Sequence, residues 1–226
     1  MFHDFLNLLY PKLCHACEDS LKTNEKVLCT SCVHALPIAD HHLEKDNPVE
    51  KIFYGRIPVE NATALLLFEK KGMVQKLIHN LKYRGHKEIG PYLGSWLGSE
   101  LKQIPEWKQI TMVIPVPLHK KKLKIRGFNQ VAGFGNEIAD ALEVPYREDV
   151  LLKISSTQTQ TLKKRLARWG TFDETFIIHN PQDLEGQHLL LVDDLVTTGA
   201  TLEACAQKLL KVPGLKISFA TMAVTH

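Results

Sequence analysis

The stretch LLLVDDLVTTGAT, residues 189–201, decides how this chain is read. Four apolar residues run into two adjacent aspartates, Asp193 and Asp194, and then into small hydroxyl residues closed by Gly199. The segment HLLLV has the near-continuous apolar character of a strand buried on both faces. Two neighbouring carboxylates repel each other and have no use inside such a strand. They belong at its carboxyl end, where open parallel sheets gather ligands. Downstream, the apolar spacing from Gly199 to about Lys211 predicts a helix. The loop N–H groups and the positive helix end then make an anion cradle. Thr197, Thr198 and Thr201 add hydroxyl donors, and Gly199 lets the backbone close on the anion. Carboxylates that accept from hydroxyls, beside a loop that holds a phosphate, fit a sugar phosphate.

Working outward, the pattern alternates. ATALLLF (62–68) reads as a strand, VQKLIHNLKYRG (74–85) as a helix with Val74, Leu77, Ile78 and Leu81 on one face, and PYLGSWLGSELK as a second helix. TMVIPV (111–116) is a short buried strand, and NQVAGFGNEIADALEV repeats the 3.6-residue period. DVLLKI, HLLLVD and LKISFATMAV supply further strands. Apolar strands spaced by helices imply an α/β domain with an open, mostly parallel sheet covered on both faces. Cys205, alone in an apolar helical pattern, reads as a buried small residue.

The amino-terminal part differs. Residues 1–60 carry six Lys/Arg against nine Asp/Glu, leaving 22 against 16 for the remainder. An acidic front and a basic body suggest separate tasks, and the basic body can meet phosphates. Cys14, Cys17, Cys29 and Cys32 form two CxxC pairs 11 residues apart, which supply four thiolates to one tetrahedral zinc. The polar segment between them is too short to bury a core, so a structural metal does the folding there. The expected division is a zinc-binding module with its linker, 1–47, followed by the main domain, 48–226. PIADHHLEKDNPVEK reads as the linker, with His41 and His42 in solvent. No run of 18 apolar residues exists, so no membrane span is expected. With a poor signal peptide and reduced cysteines, the chain reads as cytoplasmic.

These residues carry a resemblance. LLLVDDLVTTGAT resembles, over all thirteen positions, the phosphoribosyl pyrophosphate (PRPP) motif of type I phosphoribosyltransferases. VIPVPLHKKKLKIRGFNQ (113–130), LIHNLKYRG (77–85) and the cysteine knuckle narrow it to the ComF family, and TQTQTLKKRLARWGTF matches that family more loosely. The resemblance implies a type I phosphoribosyltransferase-like sheet preceded by a zinc knuckle. It implies that Asp193 and Asp194 bind the ribose hydroxyls while Val196, Thr197, Thr198, Gly199, Ala200 and Thr201 grip the 5′ phosphate. Pro117 and Leu118, in the PVPLH loop, take the place that cradles pyrophosphate, and Mg²⁺ accompanies PRPP. The family is tied to the handling of incoming single-stranded DNA and to competence machinery.

Two functional readings follow. One is a PRPP-binding protein supporting DNA uptake, with phosphoribosyl transfer as its chemistry if it is an enzyme. The other is a non-catalytic single-stranded DNA-binding factor that keeps the site as a nucleotide or regulatory pocket. Full glutamine-dependent amidophosphoribosyl transfer does not fit, because the chain has no length for an amidohydrolase domain. For DNA, the basic loop 120–126 offers Lys120, Lys121, Lys122, Lys124 and Arg126, with Arg84, Asn129 and Gln130 nearby. Basic residues 163–168 flank Trp169, and Phe128 adds a second aromatic, a combination suited to backbone contact and base stacking. If the two aspartates share one ligand, replacing either with asparagine should weaken that ligand and leave the empty protein as stable or more so.

Overall fold

The computed structural model describes residues 11–153 and 176–225. In chain order the elements are α1 (Thr30–Ala35), α2 (Pro48–Lys51), β1 (Ala62–Phe68), α3 (Met73–Tyr83), α4 (Ile89–Leu101), β2 (Met112–Pro115), α5 (Lys120–Arg126) and α6 (Ala132–Leu142). They continue with β3 (Leu151–Lys153), β4 (Phe176–Ile178), β5 (His188–Val196), α7 (Ala200–Leu209) and β6 (Lys216–Thr225). Four strands form one parallel sheet in the order β1-β6-β5-β2. Tyr146 adds a parallel bridge to Val113 beyond β2.

The apolar strands are buried because both sheet faces are covered. On one face Leu190 and Val192 pack with Leu77 and Leu81 of α3, Leu93 and Leu97 of α4, and Phe134 and Ile138 of α6. On the other, Leu189 and Leu191 pack with Leu202, Cys205 and Leu209 of α7 and with Val49 and Phe53. Each fully buried Leu contributes about 1.5–3 kcal/mol. Cys205 is a buried core residue, as its pattern implied. The helices α4 and α6 touch backbone to backbone, since a Cβ on Gly94 would lie 2.4 Å from the Phe134 carbonyl oxygen.

Three expectations change. DVLLKI does not join the central sheet: β3 pairs antiparallel with β4 in a separate two-stranded ribbon, which three residues of alternating exposure suit better than a buried central position. The stretch after the knuckle runs along the edge of β1. There Ile38 bridges Leu66, and the Ala39 and Leu67 N–H groups donate to the Leu65 and Pro37 carbonyls, covering strand atoms that would otherwise be exposed. His41 and His42 are buried rather than solvated, with His42 Nε2 3.4 Å from Glu100. Buried Asn47 fixes this turn: its amide donates to the carbonyls of His41, Glu44 and Ala62, and its oxygen caps α2 by accepting from Val49 and Glu50.

Candidate functional site

The central strands end unevenly, and that unevenness makes the site. β2 stops at Pro115, paired with Val192, whereas β5 continues to Val196 beside β6. The strand therefore runs four residues past the HLLLV expected from apolar character, because pairing with β6 supports it there. Asp193 and Asp194 lie just beyond the last β2 partner. Thr197 and Thr198 turn the chain into α7, and Asp193 with residues 195–202 lines a shallow hollow at the helix's amino end. Gly199 has φ +72°, and a Cβ there would lie 2.7 Å from both Ile52 Cγ2 and Phe53 Cε1. Only glycine satisfies both constraints. Arg56 clamps the loop from outside, donating to the Thr198 carbonyl at 2.8 Å and pairing with Glu203 in the first turn of α7.

The two aspartates face opposite sides of the sheet, as successive strand residues do. The Asp194 carboxylate is buried and held at both oxygens: Lys82 Nζ donates to Oδ1 at 2.6 Å and Gln130 Nε2 to Oδ2 at 2.7 Å. Gln130 in turn accepts from Arg126 at 2.7 Å. One hydrogen-bonded chain thus joins the LKYRG segment, the RGFNQ segment and the acidic pair. Asp193 faces the α7 side. Burial and the adjacent Asp194 carboxylate push its pKa up to about 7, against a partial lowering by the Asp194 N–H, which donates to Oδ1 at 2.8 Å. Asp193 is the carboxyl group on the hollow; Asp194 belongs to the network behind it.

The segment 120–126, expected as a loop, is the helix α5, ended by Gly127, whose N–H reaches the Leu123 carbonyl. Lys and Leu are good helix formers, so a charge run need not be a coil. The side chains of Lys120 and Lys121 lie outside the described residues, as do 163–168 and Trp169. Lys82, Tyr83, Gly85, Lys122, Ile125, Arg126 and Phe128 line a second, larger hollow. Arg126 stacks over the exposed Tyr83 ring at 5.2 Å, and Lys87 over Phe128 at 4.8 Å. Lys124 is exposed on α5. Pro117 and Leu118 follow β2 at the same sheet edge as the aspartates, and Asn129 steadies that loop by donating to the Val116 carbonyl at 3.2 Å. Arg84 points away, 3.6 Å from Glu18 on the knuckle.

At the knuckle, the sulfurs of Cys14, Cys17, Cys29 and Cys32 all lie within 4.8 Å of one another. Cys17 and Cys29 are 3.7 Å apart, close to the ~3.8 Å edge of a tetrahedron with Zn–S bonds of ~2.3 Å. Burial acts to raise the Cys14 pKa, but backbone N–H groups outweigh it and bring the thiol down to about 7. One of them is the Cys29 N–H, 3.3 Å from Cys14 Sγ. The four thiols fit a structural zinc and leave no open coordination position.

Comparison with known proteins agrees with this geometry. The family model "Phosphoribosyl transferase domain" matches residues 132–225, from α6 through β6. Competence protein ComFC of Bacillus subtilis is 29% identical over 91% of this chain and 82% of its own length. The DNA utilization protein YhgH of Escherichia coli K12 is 26% identical over 88% of this chain and 84% of its own. The chain is thus similar over residues 132–225 to phosphoribosyl transferase domains, and over most of its length to a competence protein and a DNA utilization protein. Within this site, sequence reasoning passed over two residues. Lys82 carried a signal, since it lies four residues after buried Ile78 and so falls on the apolar stripe of α3. Arg56 carried none, because its partners at 198 and 203 are more than 140 residues away.

Proposed function

We propose that this protein binds PRPP with Mg²⁺ in the hollow at the amino end of α7 and uses that site in handling incoming single-stranded DNA. The observation that carries the first half is the loop 195–202, closed by Gly199 over Phe53 with Asp193 on its rim. Its N–H groups and the helix end suit the 5′ phosphate, and Thr197, Thr198 and Thr201 add hydroxyls. Asp193 accepts from a ribose hydroxyl, while Asp194, with Lys82 and Gln130, holds the strand end rigid from behind. The loop after β2, with Pro117 and Leu118, lies where the pyrophosphate would sit. Mg²⁺ offsets the charge on that leaving group. If transfer occurs, this chain contributes positioning and electrostatics. The second half rests on the relatives' names, a competence protein and a DNA utilization protein. Thermal shift with PRPP, ribose 5-phosphate and pyrophosphate, each with Mg²⁺, tests the site: stabilisation by both ribose compounds supports it, and none by either overturns it.

A second reading, direct single-stranded DNA binding, is favoured by the hollow between α3 and α5. Exposed Tyr83 lies beside Lys122 and Arg126 there, with Phe128 close by, a basic and aromatic surface suited to backbone contact and base stacking. The zinc of the knuckle we assign a structural role, and the cytoplasm as the place of action.

A further inference from the structure

A third group of chemistry-bearing side chains sits on the seam between the knuckle and the body. His15 lies between Cys14 and Cys17, while His86 and Glu88 lie in the turn from α3 to α4. His15 Nε2 is 2.8 Å and His86 Nδ1 3.3 Å from the same oxygen, Glu88 Oε1. The two imidazoles are tilted by 42° with centroids 4.2 Å apart, and the ligand atoms of all three residues lie within 4.8 Å of one another.

Buried Asn80 sets this arrangement from behind. Its side-chain amide donates to the His15 carbonyl at 2.9 Å, and its own carbonyl accepts the His86 N–H at 3.4 Å. One residue of α3 thereby registers a histidine of the knuckle against a histidine of the body.

We propose that His15, His86 and Glu88 form a second metal site, separate from the four sulfurs, which takes a divalent transition metal such as Zn²⁺ and clips the knuckle to the body. Two imidazoles and a carboxylate are the donor set of three-ligand zinc sites. Donors bonded at ~2.0–2.1 Å in a tetrahedron stand about 3.3–3.4 Å apart, so the pair at 3.3 Å already has that spacing and the pair at 2.8 Å needs to open by about half an ångström. Glu88 and His86 are exposed enough to admit the ion, and three protein donors leave a fourth position for water or an anionic oxygen. A trio held only by hydrogen bonds to Glu88 would have the same empty geometry and bind no metal, which is what the test separates.

The test titrates the full chain, its sulfur site loaded with Zn²⁺, with Co²⁺ followed by absorption. A second equivalent should bind with weak visible bands and no thiolate charge-transfer band. His86→Ala and Glu88→Gln should each weaken it at least about tenfold while a thiol assay shows the sulfur-bound zinc retained. Both residues are partly exposed, and circular-dichroism melts check that the variants fold. Three results overturn the proposal: no second equivalent in the wild type at millimolar Co²⁺, growth of a thiolate band alone, or undiminished binding in both variants.

Discussion

Replacing Asp194 with asparagine should destabilise the protein, the opposite of what two adjacent carboxylates suggest from sequence. The carboxylate is not left to repel Asp193: Lys82 and Gln130 occupy its two oxygens at 2.6 and 2.7 Å, and the paired side chains are 7% (Asp194) and 18% (Lys82) exposed. Asparagine removes the charge and presents an NH₂ to one of two donors. Breaking a fully buried pair costs about 3–5 kcal/mol. Lys82 keeps some water, so the loss should be near the charge-assisted range, about 2 kcal/mol. For a chain of this length that lowers Tm by about 4–8 °C. Thermal melts at pH 7.5 of the wild type, Asp194→Asn, Lys82→Met and the double variant supply the assay. The double variant should recover at least about 1 kcal/mol relative to additivity, since each single variant strands one charge and the double leaves no charge unpaired. A variant melting within a degree of wild type, or strict additivity, would refute the network.

Asp193→Asn should behave differently. Its carboxyl pKa is raised from 3.8 to about 7, so the folded state holds the proton more tightly and the protein loses stability as pH climbs from about 4 to 7. The three-unit shift caps this near 4 kcal/mol, and residual solvation and sharing with Asp194 leave about 1–2 kcal/mol. The variant should match wild type at pH 4 and melt a few degrees higher at pH 8; equal melting at both would contradict this. Replacing Lys120, Lys121, Lys122 and Lys124 together should weaken single-stranded DNA binding and reduce the salt slope by up to about 3, read by fluorescence anisotropy across salt concentrations. An unchanged affinity and slope would place the DNA elsewhere. Titrating the thiols with a mercurial should release about one zinc per chain from Cys14, Cys17, Cys29 and Cys32, as a four-thiolate site requires. Release of none would sink the sulfur site.

What was legible in the sequence followed the strength of local pattern. The run 62–68 reads as a strand and is β1 residue for residue, because an apolar run bounded by polar turns has few other solutions. The helices α3, α4, α6 and α7 lie within a few residues of their apolar periods for the same reason. The four cysteines were legible from spacing alone, because metal geometry is local. The burial of His41 and His42 was not, since it depends on residues 37–39 finding the edge of β1, a long-range event. The strand end at Val196 was hidden similarly: two aspartates look like a terminus until β6 is seen beside them. The acidic pair looked like a single device, and strand alternation divides it, one carboxyl at the hollow and one in the network with Lys82.

Calorimetric titration of PRPP with Mg²⁺ at pH 8, into wild type and Asp193→Asn, tests the central claim most directly. Loss of one charge-assisted bond to a ribose hydroxyl is worth about 1–2 kcal/mol, so the variant should bind about 5- to 30-fold more weakly with one site per chain in both. Equal affinity in the two proteins, or no saturable heat in the wild type, would contradict the account.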